Sequence, residues 1–245
     1  MSVSGGRTTE HPQGCLVCGV ELEYAVAATS AACAICGVEE PSAARCRDGH
    51  YVCDACHSGS AKDVIERVCR GHEGRDPVAL ATSLMRHPSV KMHGPEHHFL
   101  VPAALLATWA NAASAPDRAG LLAEARRRSD TVVGGSCGFH GACGSGVGVG
   151  IFASLATGAT PRSGASWGQA NRATARALQV IGDAGGPRCC KRTSWLALLS
   201  GVRFAREELG LGLEGRRGPR CEFHARNDDC LERDCPFYPA ARGAI

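Results

Sequence analysis

The chain has 245 residues, 44% of them apolar and 5% aromatic, with a formal net charge of +3 at pH 7. That length suffices for one ordinary domain with a small appendage, and so slight a charge gives little reason to expect nucleic acid as the partner. The outliers are cysteine, with 15 residues, and glycine, with 31. The N-terminal region shows no charged start followed by an apolar run. The apolar runs elsewhere stop well short of the roughly 20 residues a membrane span needs. These features predict a soluble, cytoplasmic protein whose cysteines are reduced or metal-bound, without a membrane segment.

Residues 1–13 are polar and aperiodic and are expected to form a disordered lead. A metal-binding module follows over residues 14–58. It carries four ligand pairs in order: Cys15/Cys18, Cys33/Cys36, Cys46/His50 and Cys53/Cys56, with His57 as a spare imidazole. Thiolates two residues apart can share one metal ion without straining the chain, and a structural zinc ion takes four such ligands in a tetrahedron. Eight ligands therefore predict two zinc ions. Gly19 and Gly37 follow two of the Cys-x-x-Cys knuckles and suit their tight turns. Adjacent pairs could share an ion, giving successive ribbons. Alternatively, pairs one and three could share one ion and pairs two and four the other. That second wiring is the cross-brace, and Cys46-x3-His50-x2-Cys53-x2-Cys56 resembles the central stretch of RING-like domains in spacing alone. A disulfide framework is the competing reading, disfavoured without a secretory signal.

Ser58-Gly59-Ser60 forms a short joint, after which the pattern turns helical through residue 215. Val64, Ile65, Val68 and Cys69 share one helical face. Asp76 followed by Pro77 reads as an N-cap and first helical residue, starting a helix that runs to about His87 before Pro88. An apolar helix through Ala113 follows the Met92–His98 segment, with Pro102 implying a kink or a late start. Asp117–Ser129 is a charged amphipathic helix with Leu121 and Leu122 inward and Arg126–Arg128 on a solvated face. The glycine-dense stretch from Gly134 to Gly150 lacks the preceding strand and the Gly-Lys-Ser/Thr of a phosphate loop, so it predicts a helix against which something packs closely. Trp167–Ile181 and the stretch from Cys190 to about Leu209 complete a mainly α-helical domain, followed by a Cys-rich tail over residues 216–245.

Chemistry-bearing residues in the helical part fall into four groups. His93 and His97, four residues apart, could bind one metal or act as bases if they share a helix face, although Pro95 interrupts such a helix. Cys137 and Cys143 lie in glycine-rich turns, and Cys189-Cys190 stands at a helix start, where unpaired N–H groups and the dipole lower a thiol pKa. Soft thiolates favour zinc or iron–sulfur clusters. Cys137, Cys143, Cys189 and Cys190 are therefore expected to converge on a cluster or redox dithiol, with Cys189, Cys190, His93 and His97 as candidate catalytic residues. Arg188, Lys191 and Arg192 flank the Cys pair and could hold thiolates or an anion. The tail set Cys221, Cys230 and Cys235 reads as a third zinc site completed by His224, or as a cluster lacking its fourth thiolate. Cys69 reads as a small core residue.

With these residues in place, the chain resembles an uncharacterised prokaryotic family, the domain of unknown function 5714, over nearly everything after residue 14. The resemblance rests on His50-Tyr-Val-Cys-Asp-Ala-Cys-His57, Met92-His-Gly-Pro-Glu-His-His98, Cys137-Gly-Phe-His-Gly-Ala-Cys143 and Gly186-Pro-Arg-Cys-Cys-Lys-Arg192. It implies a companion of radical-SAM or corrinoid chemistry in anaerobic metabolism. A fainter likeness is to small redox proteins with Gly-Cys-Ala and Cys-Cys motifs, from which Gly141-Ala142-Cys143 departs in order. The sequence thus predicts a two-zinc module joined to an α-helical Cys/His domain with redox or iron–sulfur chemistry and a protein or redox partner. The alternative is a non-catalytic zinc-binding adaptor, and enzymatic activity is left open.

Overall fold

A computed structural model describes residues 15–53, 56, 60–115, 117–215 and 217–240. His57, Ser58, Gly59 and the leading segment lie outside the described residues. The chain divides into two compact units, Met1–Ser58 and Gly59–Ile245.

The first unit is built on an antiparallel hairpin of β1 (Leu22–Ala32) and β2 (Glu39–Cys46). The register pairs Leu22 with Cys46 and Ala32 with Glu39, with an irregularity between Tyr24 and Thr29. Most of β1 is exposed, and of its residues Ala31 alone is buried. Among the described residues of this unit, the buried apolar side chains are Ala31, Cys15, Cys33, Cys46, Cys53 and Cys56. Tyr51, Ile35 and Val52 pack around the second cysteine group, and the Tyr51 hydroxyl donates to Glu40.

The second unit is mainly α-helical. α1 (Ala61–Gly71) buries Val64, Ile65, Val68 and Cys69, the face its periodicity predicts, and Ser60 caps it through the Asp63 N–H. α2 (Pro77–Met85) starts as expected, with Asp76 Oδ1 accepting from the N–H groups of Val78 and Ala79. It ends at Met85, just before the expected His87. α3 (Glu96–Ala113) is apolar over most of its surface and lies at the centre, packed against α1, α2, α4 (Arg118–Asp130), α6 (Gly144–Thr157) and α8 (Cys190–Leu209). The single turn α5 (Ser136–Phe139) precedes α6; α7 (Ala165–Asp183) and α8 (Cys190–Leu209) complete the helical set.

Pro102 neither delays α3 nor ends it, since the helix is assigned without a break through Ala113. A proline cannot donate to the carbonyl four residues back, here that of His98. The Ser129 hydroxyl of α4 lies 3.1 Å from that oxygen and 2.7 Å from the Ala125 carbonyl, so its proton can serve the orphaned acceptor. The arginine run on α4 is also less free than a solvated face implies. Arg126 pairs with Asp63 and Glu66 of α1, and Arg127 and Arg128 pair with Glu124. Leu122 is buried, whereas Leu121 is only partly so.

The glycines of α6 explain how the helices approach. A Cβ on Gly144 would meet the His98 ring at 2.1 Å, and one on Gly148 would meet Pro102 Cδ at 2.8 Å, both on α3. A Cβ on Gly146 would meet Leu178 at 2.6 Å, and one on Gly150 would meet Thr174 at 1.9 Å, both on α7. α6 is therefore wedged between α3 and α7 with backbone as its contact surface. No described helix is long and apolar enough to cross a membrane.

Replacing Ser129 with Ala should leave the His98 carbonyl unsatisfied in a buried place, at a cost of about 1–2 kcal/mol. Urea unfolding followed by tryptophan fluorescence checks this, and an unchanged midpoint would mean that the hydroxyl serves Ala125 alone.

Candidate functional site

In the first unit the hairpin interleaves the four ligand pairs. Cys15, Cys18, Cys46 and His50 form one group and Cys33, Cys36, Cys53 and Cys56 the other, with the ligand atoms of each group all within 4.8 Å of one another. Pairs one and three thus come together, as do pairs two and four, which selects the cross-brace over successive ribbons. Cys18 Sγ lies 3.7 Å from Cys46 Sγ, and Cys36 Sγ lies 3.7 Å from Cys53 Sγ. A tetrahedral zinc ion with bonds of about 2.3 Å sets its sulfurs about 3.8 Å apart, whereas a disulfide bond is about 2.0 Å. Cys46 Sγ also lies 3.4 Å from His50 Nδ1, close to the edge of about 3.5 Å that a sulfur and an imidazole nitrogen share on one such ion.

The backbone shapes these pockets. Gly19 N–H donates to Cys15 O and Gly37 N–H to Cys33 O, and both glycines have positive φ. Val17 N–H points at Cys15 Sγ, and Cys53 N–H at Cys33 Sγ. Burial raises the Cys33 thiol, but backbone N–H groups of Cys36, Cys53 and Ile35 outweigh it and bring it down to about 7. In the same way the His50 N–H helps bring Cys46 down to about 7. Both groups can therefore hold metal ions, and the ligand chemistry suits zinc.

In the helical unit, the first turn of α3, the α5 turn and the N-termini of α6 and α8 surround a cavity of about 390 Å³. Its chemistry comes from Cys137, Cys143, Cys190, His97, His98, Arg188, Arg192, Ser145 and Thr193. His97 is fully buried. Its Nδ1 donates to Gly94 O at 3.1 Å, which leaves Nε2 as a lone-pair acceptor, and that atom has no hydrogen-bond partner. Burial first, then the Lys191 charge, lowers its pKa to about 3, so the imidazole is neutral and ligand-competent. His98 Nδ1 donates to Val132 O at 3.1 Å, and burial lowers its pKa also.

The four thiols expected to converge are divided. Cys137, Cys143 and Cys190 line this cavity, while Cys189 lines a second, much smaller one with Cys221, Cys230 and Cys235. His93 and His97 do not share a helix face. Pro95 is the N-cap of α3, so His93 lies before the helix, with its Nε2 3.1 Å from Asn227 Oδ1. The expected lowering of the thiol pKa at the α8 N-terminus is reversed. Burial raises both thiols, Cys190 to about 11, and the backbone hydrogen bonds from Arg192 to Cys189 and from Gly94 to Cys190 offset only part of it. Sequence reasoning missed Ser145, Thr193 and the cavity role of His98, whose one visible signal was its place beside His97. Cys69 lies fully buried in the core, its thiol pKa raised by burial.

Lys191 and Arg192 are 1% and 2% exposed, and neither makes an ion pair among the described residues. Lys191 Nζ lies 3.4 Å from Met85 O and 3.2 Å from Val90 O, and burial lowers its pKa to about 8, offset in part by Glu96. Arg192 donates to Gly185 O and Pro187 O, both at 2.7 Å, and its Nε has no partner. A larger cavity of about 640 Å³ lies between α7 and α8. It has no thiol or imidazole in its lining, and its Arg176 is paired with Glu207 and Glu208.

The model of a family of unknown function, DUF5714, matches residues 65–238, and the chain belongs to that family. The match spans the helical unit and most of the tail, so the His50–His57 string expected to carry part of the resemblance lies outside it. No curated protein and no solved structure matches the chain.

Removing metal with a strong chelator should unfold the first unit, because structural zinc contributes about 10–16 kcal/mol to folding in small zinc modules. Cys33→Ser should do the same. Hydrogen exchange over residues 22–46 reports it, and protection that survives chelation would sink metal-dependent folding.

Proposed function

We propose that this DUF5714 member is a metal-binding protein. In this reading two zinc ions hold the first unit, and the helical unit carries a thiol–imidazole site for redox or iron–sulfur chemistry at Cys137, Cys143, Cys190 and His97. The single observation that carries the second half is His97: a buried, neutral imidazole with an unpartnered Nε2 on a cavity that also takes three thiols. A buried polar atom without a partner costs free energy, and a ligand restores it.

The raised Cys190 thiol argues for a ligand role over a free nucleophile. A neutral buried thiol reacts poorly, whereas a coordinated metal deprotonates it outright. Two helix N-termini and Arg188 favour the negative charge such thiolates bring. The zinc module supplies a folded surface for a protein or redox partner. The link to radical-SAM or corrinoid chemistry rests on the family resemblance alone and adds nothing to the geometric case.

Elemental analysis and an absorption spectrum on protein purified without oxygen test this reading. The expected result is two zinc ions per chain together with iron, sulfide and a broad band near about 400 nm. The triple variant Cys137→Ser, Cys143→Ser, Cys190→Ser should lower the iron content while keeping the zinc. Iron and spectrum unchanged in that variant would overturn the thiol–imidazole site. Zinc alone, in a solution that stays colourless on reconstitution, would leave the zinc-binding adaptor.

A further inference from the structure

Residues 217–240 contain little regular structure, two short 3-10 turns at His224–Arg226 and Glu232–Asp234. Yet Cys221, Phe223, Cys235 and Phe237 are all buried. Part of the order comes from aromatic packing: Trp195 of α8 stacks near Phe223 and Phe237, with ring centroids 5.9 Å and 5.2 Å away. The segment also closes around a cavity of about 10 Å³. That is room for a single small ion or one water molecule and nothing larger. Four thiols line it, Cys221, Cys230 and Cys235 from the tail and Cys189 from the N-cap of α8.

We propose that Cys189, Cys221, Cys230 and Cys235 together hold one zinc ion, which clips the tail to the N-terminus of α8. The site is separate from the cavity that Cys190 lines, and it adds a third zinc ion to the two of the first unit. A structural zinc ion takes four thiolates and is small enough for the space they enclose. Cys189 fills the fourth place, for which the tail's own order offers His224. His224 borders the same cavity, but its ring packs edge-on against Tyr238, with centroids 5.0 Å apart.

The local backbone supports this assignment. In the first unit the N–H two residues on is directed at the sulfur of Cys15, Cys33 and Cys46, from Val17, Ile35 and Asp48. The same step recurs at Cys189, Cys221 and Cys230, from Lys191, Phe223 and Glu232. Donors aimed at sulfur favour its ionised form, which is the form that binds metal. The core thiol Cys69 takes no such donor among the described residues.

Electrostatics point the same way. Burial pushes the Cys221 thiol up to about 11; the Phe223 N–H offsets part of this, and charge on Cys189, Cys235 and Cys230 pushes it further. The four sulfurs sense one another, and a bound cation is what lets them ionise together. Charge balance asks for that ionised set. Lys191 and Arg192 are buried without an ion pair among the described residues. Arg192 lines this cavity, and the Lys191 ammonium sits 5.1 Å from the centroid of the Phe223 ring. Buried cations are costly unless compensated. Four thiolates on one divalent zinc ion leave two negative charges, one for each of these cations.

The test combines zinc content of the full chain with alkylation of its thiols by iodoacetamide, mapped by peptide mass spectrometry before and after a strong chelator. Cys230 is only half-buried, so a free thiol there labels early, whereas a zinc-bound one is shielded. The expected result is a Cys230 protected in the untreated chain, with labelling that rises at least about tenfold on chelation. Cys69, in the apolar core, should stay unlabelled in both states and so report that the helical unit remains folded. Cys230→Ser and Cys189→Ser, with helices intact by circular dichroism, should each remove about one zinc ion per chain, and His224→Ala should remove none. Labelling of Cys230 that chelation leaves unchanged would overturn the proposal, and this arm is read on the unaltered chain, whatever the variants do. A zinc content untouched by both cysteine substitutions would also overturn it, as would an ion lost in His224→Ala and kept in Cys189→Ser. So would iron and sulfide, in place of zinc, lost from the tail variants. Zinc lost on Cys33→Ser reports on the first unit separately, so failure of its two ions and failure of this site are distinguishable.

Discussion

The helical unit depends on a seam of glycines along α6. Side chains on Gly144 and Gly148 would collide with α3, and side chains on Gly146 and Gly150 would collide with α7. Without Cβ atoms the backbone of α6 becomes the packing surface, and three helices close on one another at the distance of main chain to side chain. The consequence reaches the site. Gly144 is the first residue of α6, next to Cys143, and it lies against the ring of His98. The contact that closes the helices also sets the thiol of Cys143 beside the first turn of α3. An alanine at 144 would push apart the two elements that bring thiol and imidazole together. Packing and chemistry are therefore fixed by the same few residues, which is why so many glycines stand where helix propensity disfavours them.

A second constraint acts at the start of α8. Successive residues around a helix point about 100° apart. Cys189 is the N-cap, with extended backbone, and Cys190 the first helical residue, so their side chains leave the chain in different directions. One thiol lines the cavity shared with Cys137, Cys143 and His97, and the other lines the cavity shared with the tail. Lys191 and Arg192 follow at once and are buried between these surroundings, with Arg192 lining both. The Cys-Cys-Lys-Arg string thus distributes two soft ligands and two buried cations over two adjoining cavities.

What could be read from the sequence follows from how local each signal is. Helix starts carried by a side chain acting on its own backbone, such as Asp76 before Pro77, were visible, as was the apolar face of α1. The zinc-type knuckles were visible because their ligands are neighbours in the chain, and the interleaved pairing followed the order of the pairs. The hairpin of the first unit was not visible. β1 is nearly all exposed, so it carries no alternation of apolar and polar residues, and Pro41 sits within β2. The direction of the thiol shift at α8 was misjudged for a comparable reason. Helix position is a local property, but burial depends on everything packed around the site, and burial outweighed the backbone donors. The partition of Cys189 from Cys190 likewise needed the tail in place, since the tail cysteines lie far along the chain, whereas the break between His93 and His97 comes from Pro95, a local signal.

The two units differ in what keeps them folded. The helical unit has a large apolar core, centred on a helix whose residues from Phe99 to Ala107 are fully buried. The first unit buries Ala31 and cysteine sulfurs among its described apolar side chains, so area burial alone cannot order it. Its hairpin is too exposed to be stable by itself, because an isolated two-stranded sheet is marginal in water. The sulfurs stand at the spacing that a tetrahedral ion requires. Four thiols in one small space repel on ionisation unless a cation neutralises them. A metal ion held by each group would supply that cation and tie the hairpin together, whereas the tail has a second source of order. There the rings of Trp195, Phe223 and Phe237 give a small apolar anchor, and the thiols ring the space that the anchor leaves open. The family match covers the helical unit and most of the tail and excludes the zinc-type module. The match therefore lies on the unit that folds around its own apolar core, while the thiol-rich hairpin unit stands outside it.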